Sequence, residues 1–134
     1  MSPADPRRAR RILALQTQLH RSGEWKLGAL QSELAENGRT RDAVMATLAD
    51  DALGPVLVEV AARRLKRLAQ ARDTLAAAEA AQSARVQDEA RRMKQAERRL
   101  DAVQRQAARE AEKADLDALL DRIASARDAS LPPA

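Results

Sequence analysis

The sequence of 134 residues contains no cysteine, phenylalanine or tyrosine, and it has only one tryptophan and one histidine. Without cysteine, the chain can form neither a disulfide framework nor a thiolate metal site. Aromatic residues make up 1% of the chain, and few of the other residues are β-branched. These shortages argue against a β-sandwich or a doubly wound sheet, because both need bulky residues to fill their interiors.

The same shortages leave little material for catalysis. His20 has no second histidine or thiol to accompany it, so we expect it to be a surface histidine. Asp50 and Asp51 are adjacent carboxylates, but they fall in a predicted turn, where acidic residues commonly cap helices. The sequence has no Glu-x-x-His motif and no glycine-rich phosphate loop. We therefore expect a protein that is not an enzyme and that binds no metal or cofactor.

Long apolar runs are missing as well. The first ten residues, MSPADPRRAR, lack the apolar stretch of a signal peptide. No window approaches the 18 or more apolar residues at which a membrane-spanning helix becomes the favoured interpretation. The expected location is therefore cytoplasmic, without insertion into a membrane.

Ala, Leu, Arg and Glu are abundant, and such a composition is typical of coiled coils and long helices. Asp5 followed by Pro6 predicts a helix start, with Asp5 as the N-cap. The first helix is predicted over about residues 7–49. Asn37 and Gly38 could end this helix or form a soft spot within it, and the continuous helix is the favoured interpretation.

A turn is predicted at about residues 50–55. Gly54 suits the left-handed position that ends a helix, and Pro55 suits the first turn of the next one. The second helix is predicted over about residues 56–128, since no glycine or proline lies inside it. The remaining ends are expected to be disordered, namely residues 1–5 and 129–134.

On a helical wheel, the apolar residues of the first helix form one stripe that does not keep a regular seven-residue repeat. Leu19, Gly23 and Leu27 follow one another at steps of four, which predicts a stutter that locally unwinds a supercoil. Trp25 falls roughly opposite the stripe. The stripe consists of Ile12, Leu15, Leu19, Leu30, Val44 and Leu48, with Leu34 close beside it.

The second helix carries two rows of residues that recur every seven positions, as in a coiled coil. Arginines recur in the same way on the other faces, but acidic residues lie among them, so a solvated face is favoured over a nucleic-acid site. The first row is Leu65, Arg72, Glu79, Val86, Met93, Leu100 and Ala107, and the second is Leu68, Leu75, Gln82, Glu89, Ala96 and Val103. The arginines are Arg91, Arg98 and Arg105, with Arg85, Arg92 and Arg99 one row over.

The short turn favours antiparallel packing of the two helices. The predicted fold is all-α, a single domain formed by a long antiparallel two-helix coiled-coil hairpin with an overhanging C-terminal helix. If the turn centres near Leu53, paired residue numbers add to about 106, so that Ile12 lies opposite Met93. The first helix then ends opposite roughly residue 98 and leaves an overhang of about thirty residues.

Two surfaces are candidate partner-binding sites. Trp25 lies on the back of the first helix, and tryptophan is enriched at binding hot spots; the alternative is a ring partly covered by neighbouring Arg and Leu side chains. Four apolar residues in the overhang have the spacing of a helix that docks into a groove; the alternative is that they complete the core. These four residues are Leu116, Leu119, Leu120 and Ile123.

In size, pattern and composition the chain resembles the FliJ family, including its injectisome relatives of the YscO type. The resemblance runs from ARRILALQTQLHRSGEWKLGALQSELAE to RRMKQAERRLDAVQRQAAREAEK. It implies a central stalk of a type III export ATPase that also contacts the export gate and escorts export chaperones, peripheral to an inner-membrane export apparatus. The inserted end would comprise Arg7–Ile12 and the overhang ending at Ile123, while the partner would hydrolyse ATP.

Two other functions remain open from the sequence. The chain could be a homo-oligomeric coiled-coil scaffold or adaptor unconnected with secretion, in which the overhang pairs with a second copy. It could also be a basic helical protein that associates with nucleic acid, since its net charge is +4. The mixed surface charge makes nucleic acid the less favoured partner.

Overall fold

The computed structural model describes residues 5–130 and 132, and in these residues the protein consists of two long helices without strands. Helix α1 spans Pro6–Leu48 and helix α2 spans Pro55–Ser130. The predicted all-α antiparallel hairpin is thereby confirmed. The disorder predicted for the chain ends falls largely on residues 1–4, 131, 133 and 134, which lie outside the described residues. Residues 129–130, also included in that prediction, are helical.

The start of α1 follows the predicted capping pattern. The backbone N–H of Arg7 donates to Oδ1 of Asp5 over 3.0 Å, and the N–H of Ala9 donates to the Asp5 carbonyl over 3.0 Å. Asp5 therefore caps the helix with both its side chain and its backbone. Asn37 and Gly38 are both helical, so the favoured continuous first helix is confirmed.

The turn between the helices differs from the prediction at Gly54. No described glycine has a positive φ, so the predicted left-handed Gly54 is wrong. The reason is that α1 ends at Leu48, which leaves six residues for the reversal, and the N–H groups of Asp50 and Leu53 close successive turns within it. The carbonyl of Gly54 instead accepts from the N–H of Val58 over 3.1 Å, which makes Gly54 the N-cap of α2.

The described chain divides into two compact units, one comprising Gln16–Arg92 and the other the residues up to Leu15 with those from Met93 onward. The first unit contains the turn, and its helices pack side by side. Nδ2 of Asn37 donates to the Leu68 carbonyl, and Nε2 of Gln82 donates to the Gly23 carbonyl, each over 3.1 Å. Both contacts lie within one residue of the predicted register.

The covered face of α1 follows a seven-residue repeat from Ala9 to Leu48, with the exposed Arg41 at one of its positions. The repeat runs without a stutter through residues 16–30, so the predicted stutter is wrong. Ile12, Leu15 and Leu19 lie outside this repeat and are 38%, 58% and 44% exposed. On a helical wheel with 3.6 residues per turn, these three residues line up with Leu30. A coiled coil is underwound to 3.5 residues per turn, so a line of residues drawn at 3.6 per turn moves away from the seam, the line of contact between the two helices, within a few turns. The buried or half-buried positions of this repeat are Ala9, Leu13, Gln16, His20, Gly23, Leu27, Leu30, Leu34, Asn37, Val44 and Leu48.

The covered face of α2 coincides with the two predicted rows. Both rows are buried or half-buried from Leu65 to Ala107, apart from the exposed Arg72. Within the unit that contains the chain ends, Ala9 of α1 and Ala96 and Val103 of α2 are buried to 6–7% exposure. These small residues allow the two backbones to approach closely.

Every residue from Ala108 to Ser130 is exposed, and we call this segment the overhang. The sequence predicted that the overhang begins at roughly residue 98. In the structure it begins about ten residues later, at Ala108. The physical reason is that a helical side chain leans toward the N-terminus of its own helix. Val103 and Ala107 therefore lie over the preceding turn, where the first residues of α1 cover them.

Candidate interaction surfaces

Polar side chains fill one stretch of the seam in the unit formed by Gln16–Arg92. His20 has a side chain only 15% exposed, and its Nε2 lies 3.0 Å from Oε1 of Glu24 one turn later. The expectation of a surface histidine is therefore wrong, because the seam passes through residue 20 rather than Leu19. Three buried atoms here have no hydrogen-bond partner: Oε1 of Gln16, Nδ1 of His20 and Oε2 of Glu89.

Gly23 provides the space for this polar stretch. A Cβ atom built on Gly23 would collide with the carboxylate of Glu89 and would lie 3.3 Å from Cγ2 of Val86. The carboxylate therefore sits against the bare backbone of α1, while Gln82 hydrogen-bonds the Gly23 carbonyl. Unsatisfied buried polar groups reduce stability, so this stretch holds the helices together less tightly than an apolar seam would.

Trp25 lies on the face of α1 that points away from the seam. Trp25 is 78% exposed, so its neighbours cover only a small part of it. A shallow surface depression surrounds it, lined in part by Arg21, Gly28 and Ser32. A Cβ atom built on Gly28 would meet nothing within 4 Å. The result is a projecting aromatic ring beside a flat strip of small residues.

The four predicted apolar residues of the overhang are also exposed, and they lie on one face. Leu116, Leu119, Leu120 and Ile123 are 55%, 47%, 53% and 55% exposed. They do not complete the core of the described chain. At 100° per residue, Leu116 and Ile123 lie about 180° and 160° around α2 from the last seam residue, Ala107.

The seam positions themselves become polar beyond Ala107. If the seven-residue repeat of α2 is continued into the overhang, it passes through acidic residues and alanines. A longer α1 packed in the same register would thus meet carboxylates rather than leucines. The apolar face of the overhang is a separate surface, directed away from the side that α1 covers. The continued positions are Glu110, Ala114, Asp117, Asp121, Ala124 and Asp128.

A third apolar surface, not identified from the sequence, lies next to the turn. Val56, Leu57 and Val60 are 74%, 58% and 51% exposed and share one side of the first turns of α2; we call them the tip surface. The sequence contains a signal for this surface, namely the concentration of aliphatic residues in the run VLVEV at 56–60. Sequence reasoning missed this surface because Val56 and Leu57 begin the predicted second helix, ahead of the seven-residue rows that start at Leu65.

The arginine rows are solvent-exposed and partly neutralised. Arg91 lies 3.4 Å from Asp88, and Arg105 lies 2.8 Å from Asp101, one turn away in each case. Two of the six arginines in these rows therefore form ion pairs along their own helix, in agreement with the solvated-face interpretation. Among residues 5–130 and 132, no His, Cys, Asp or Glu cluster could hold a metal ion. No helix in that part of the chain is apolar over a length that would cross a bilayer.

Three of the exposed apolar surfaces are thus the ring of Trp25 on α1, the tip surface and the face of the overhang formed by Leu116, Leu119, Leu120 and Ile123. All three present apolar side chains to solvent, and none brings together groups suited to catalysis. Comparison with known proteins adds no assignment: no protein family, curated protein or solved structure matches this chain.

Proposed function

We propose that this chain is a non-enzymatic coiled-coil component of a flagellar or type III protein export apparatus, acting as the stalk of the export ATPase and as a chaperone escort. The proposal rests on the resemblance in size and pattern stated above. The observation that carries it is the overhang, in which Leu116, Leu119, Leu120 and Ile123 lie exposed on a face that α1 does not cover.

The overhang suits a helix-in-groove contact. Four apolar residues at positions i, i+3, i+4 and i+7 form a continuous ridge on one side of a helix. Burial of such a ridge in a partner is favourable by about 25 cal/mol per Å² of apolar surface removed from water. In this role the chain contributes binding and mechanical coupling, and the partner carries out the chemistry.

Trp25 supplies a second contact in this proposal. Its ring projects from α1 with 78% of its surface exposed, and tryptophan is among the residues that contribute most when an interface buries them. The resemblance implies contacts with export chaperones and with the export gate, and we propose Trp25 as a contact residue in one of them.

The test is stimulation of a purified export ATPase by the full chain. Replacement of Leu116 and Leu120 by Ala should abolish binding and stimulation, while circular dichroism shows unchanged helix content, because both residues are exposed. The matched control is Leu15→Ala/Leu19→Ala, which removes two other exposed leucines, from α1, and should leave stimulation intact. Equal stimulation by both double variants, or no stimulation by the natural chain, would count against the stalk.

A homo-oligomeric scaffold is the second candidate, and one feature of the overhang favours it. Glu112 precedes Leu116 by four residues, and Arg127 follows Ile123 by four. Two antiparallel overhangs would therefore bring Leu116 beside Ile123 and Glu112 beside Arg127 of the other copy, so that unlike charges meet. A stable micromolar dimer that Leu116→Ala/Leu120→Ala dissociates, without binding to the ATPase, would favour the scaffold.

A further inference from the structure

The tip surface is an apolar face that the rest of its unit leaves uncovered. Val56, Leu57 and Val60 are between 51% and 74% exposed, and the neighbouring Val58 is 42% exposed. All belong to the first two turns of α2, within the unit Gln16–Arg92. Contiguous exposed aliphatic side chains of this kind mark interaction surfaces more often than isolated ones do.

Charges of opposite sign border the two ends of the tip surface. Asp50 and Asp51 precede it in the turn, and both are exposed. Arg63, Arg64 and Arg67 follow it on the same side of α2. The Asp50 carboxylate accepts from the Ala52 N–H over 3.0 Å, and Arg63 pairs with Glu59 at 2.8 Å.

At the borders, Asp50, Asp51, Arg64 and Arg67 form no ion pair among the described residues. Arg64 lies about 10 Å beyond Leu57 along the helix axis, and Asp51 lies on the other side of Leu57 along the chain. Along the chain, the order is thus acidic, apolar and basic.

We propose that the tip surface docks against the tip surface of a second copy of this chain. An antiparallel arrangement about a two-fold axis near Leu57 makes the surface its own complement. Leu57 meets Leu57 of the other copy, and each Asp51 lies beside the other copy's Arg64. Isologous interfaces require such self-complementarity.

The bordering charges favour a second copy over other occupants. A lipid surface with anionic headgroups would be repelled by Asp50 and Asp51 and attracted only at the arginine end. A partner of uniform charge would meet one favourable and one unfavourable border. Only a partner with the reverse order of charges satisfies both ends, and an inverted copy of this surface provides that order.

The first test is sedimentation velocity over a range of concentrations, in a Leu116→Ala/Leu120→Ala background that removes two of the three leucines of the overhang. Asp51→Arg and Arg64→Asp should each weaken dimerisation about tenfold or more, since each places like charges together at both borders. An equimolar mixture of the two variants, and the chain that carries both changes, should dimerise again. Arg85→Asp, an equal charge change elsewhere on α2, should have no effect.

The second test uses the absence of cysteine from the chain. Leu57→Cys should form an intermolecular disulfide under mild oxidation, because a residue at the two-fold axis meets its own counterpart within bonding range. Gln87→Cys, exposed on the same helix, is the matched control and should not cross-link efficiently. A monomer at all concentrations, failure of the mixed variants to pair, or equal cross-linking at residues 57 and 87 would overturn the proposal.

Discussion

At the scale of single residues, polar groups in the seam limit the stability of the helix pair. His20 occupies a core position of the seven-residue repeat, with Nδ1 buried and unpaired. If Nε2–H donates to Glu24, then Nδ1 is an acceptor, and it lies in the same stretch as two other unpaired acceptors, on Gln16 and Glu89. Desolvated acceptors without donors are unfavourable.

Replacement of His20 by Leu should therefore raise the free energy of unfolding by about 1–2 kcal/mol, because leucine fills the seam position without an unpaired polar atom. Urea denaturation followed by circular dichroism measures the change. Arg21→Leu, at the exposed neighbouring position, is the control and should shift stability by no more than about 0.5 kcal/mol. A loss of stability in His20→Leu would mean that the polar stretch is a favourable network.

Two of the three glycines within α1, Gly23 and Gly28, should respond differently to alanine. Gly28→Ala should stabilise the protein by about 1 kcal/mol, since alanine favours the helix and nothing lies within 4 Å of the new Cβ. Gly23→Ala should gain less or lose stability, because its Cβ displaces the Glu89 carboxylate and crowds Val86. Thermal melting of both variants provides the comparison, and equal gains would contradict the packing described at Gly23.

At the scale of the helices, α2 has a covered portion up to Ala107 and a bare portion beyond it. Val103 is 7% exposed and Leu120 is 53% exposed, although both lie on the same uninterrupted helix. Hydrophobicity alone does not explain the difference in exposure between Val103 and Leu120, because leucine is the more apolar residue. The difference is that the first residues of α1 cover Val103, whereas Leu120 lies in the overhang, where every residue is exposed.

We predict that Val103→Ala destabilises the chain by about 1–2 kcal/mol, since two buried methyl groups are lost. Leu120→Ala should change stability by less than about 0.5 kcal/mol in the free protein. Denaturant unfolding of the two variants under identical conditions tests this contrast. A larger effect at Leu120 would show that the overhang is packed in solution.

The seam of α2 could be predicted from the sequence, and that of α1 only in part. In α2, Val, Met, Leu and Ala recur at seven-residue spacing, so residue identity and geometry agree. In α1 they disagree: Leu15 and Leu19 are exposed, while Gln16 and His20 occupy the seam. The contact with α2 determines which face of α1 is covered, and a helical wheel drawn for α1 alone carries no information about that contact. The tip surface was missed because exposure of Val56 and Leu57 depends on what the turn leaves uncovered.

At the scale of the whole molecule, 24 basic and 20 acidic residues give a net charge of +4. Such a balance does not create a continuous basic surface when neighbouring charges pair, as Arg105 does with Asp101. The charge therefore favours solubility of exposed helices over capture of a polyanion.

Binding to double-stranded DNA should accordingly be weaker than a Kd of about 10⁻⁴ M at roughly 0.15 M salt, the weak end of non-specific binding. Fluorescence anisotropy with a labelled duplex measures it. Asp88→Asn/Asp101→Asn frees Arg91 and Arg105 from their partners and should increase DNA binding. Tight, steeply salt-dependent binding by the natural chain would instead support the nucleic-acid function.

The bare portion of α2 has a consequence for its dynamics. Most of the stability of a helix in a protein comes from tertiary packing. Every residue of Ala108–Ser130 is exposed, so this segment depends on the covered residues before it to nucleate its turns. Its amide protons should exchange with solvent faster toward Ser130, as the final turns open and close. Any molecule that binds the face formed by Leu116, Leu119, Leu120 and Ile123 would suppress this fraying. A decrease in deuterium uptake would therefore show which residues form the contact.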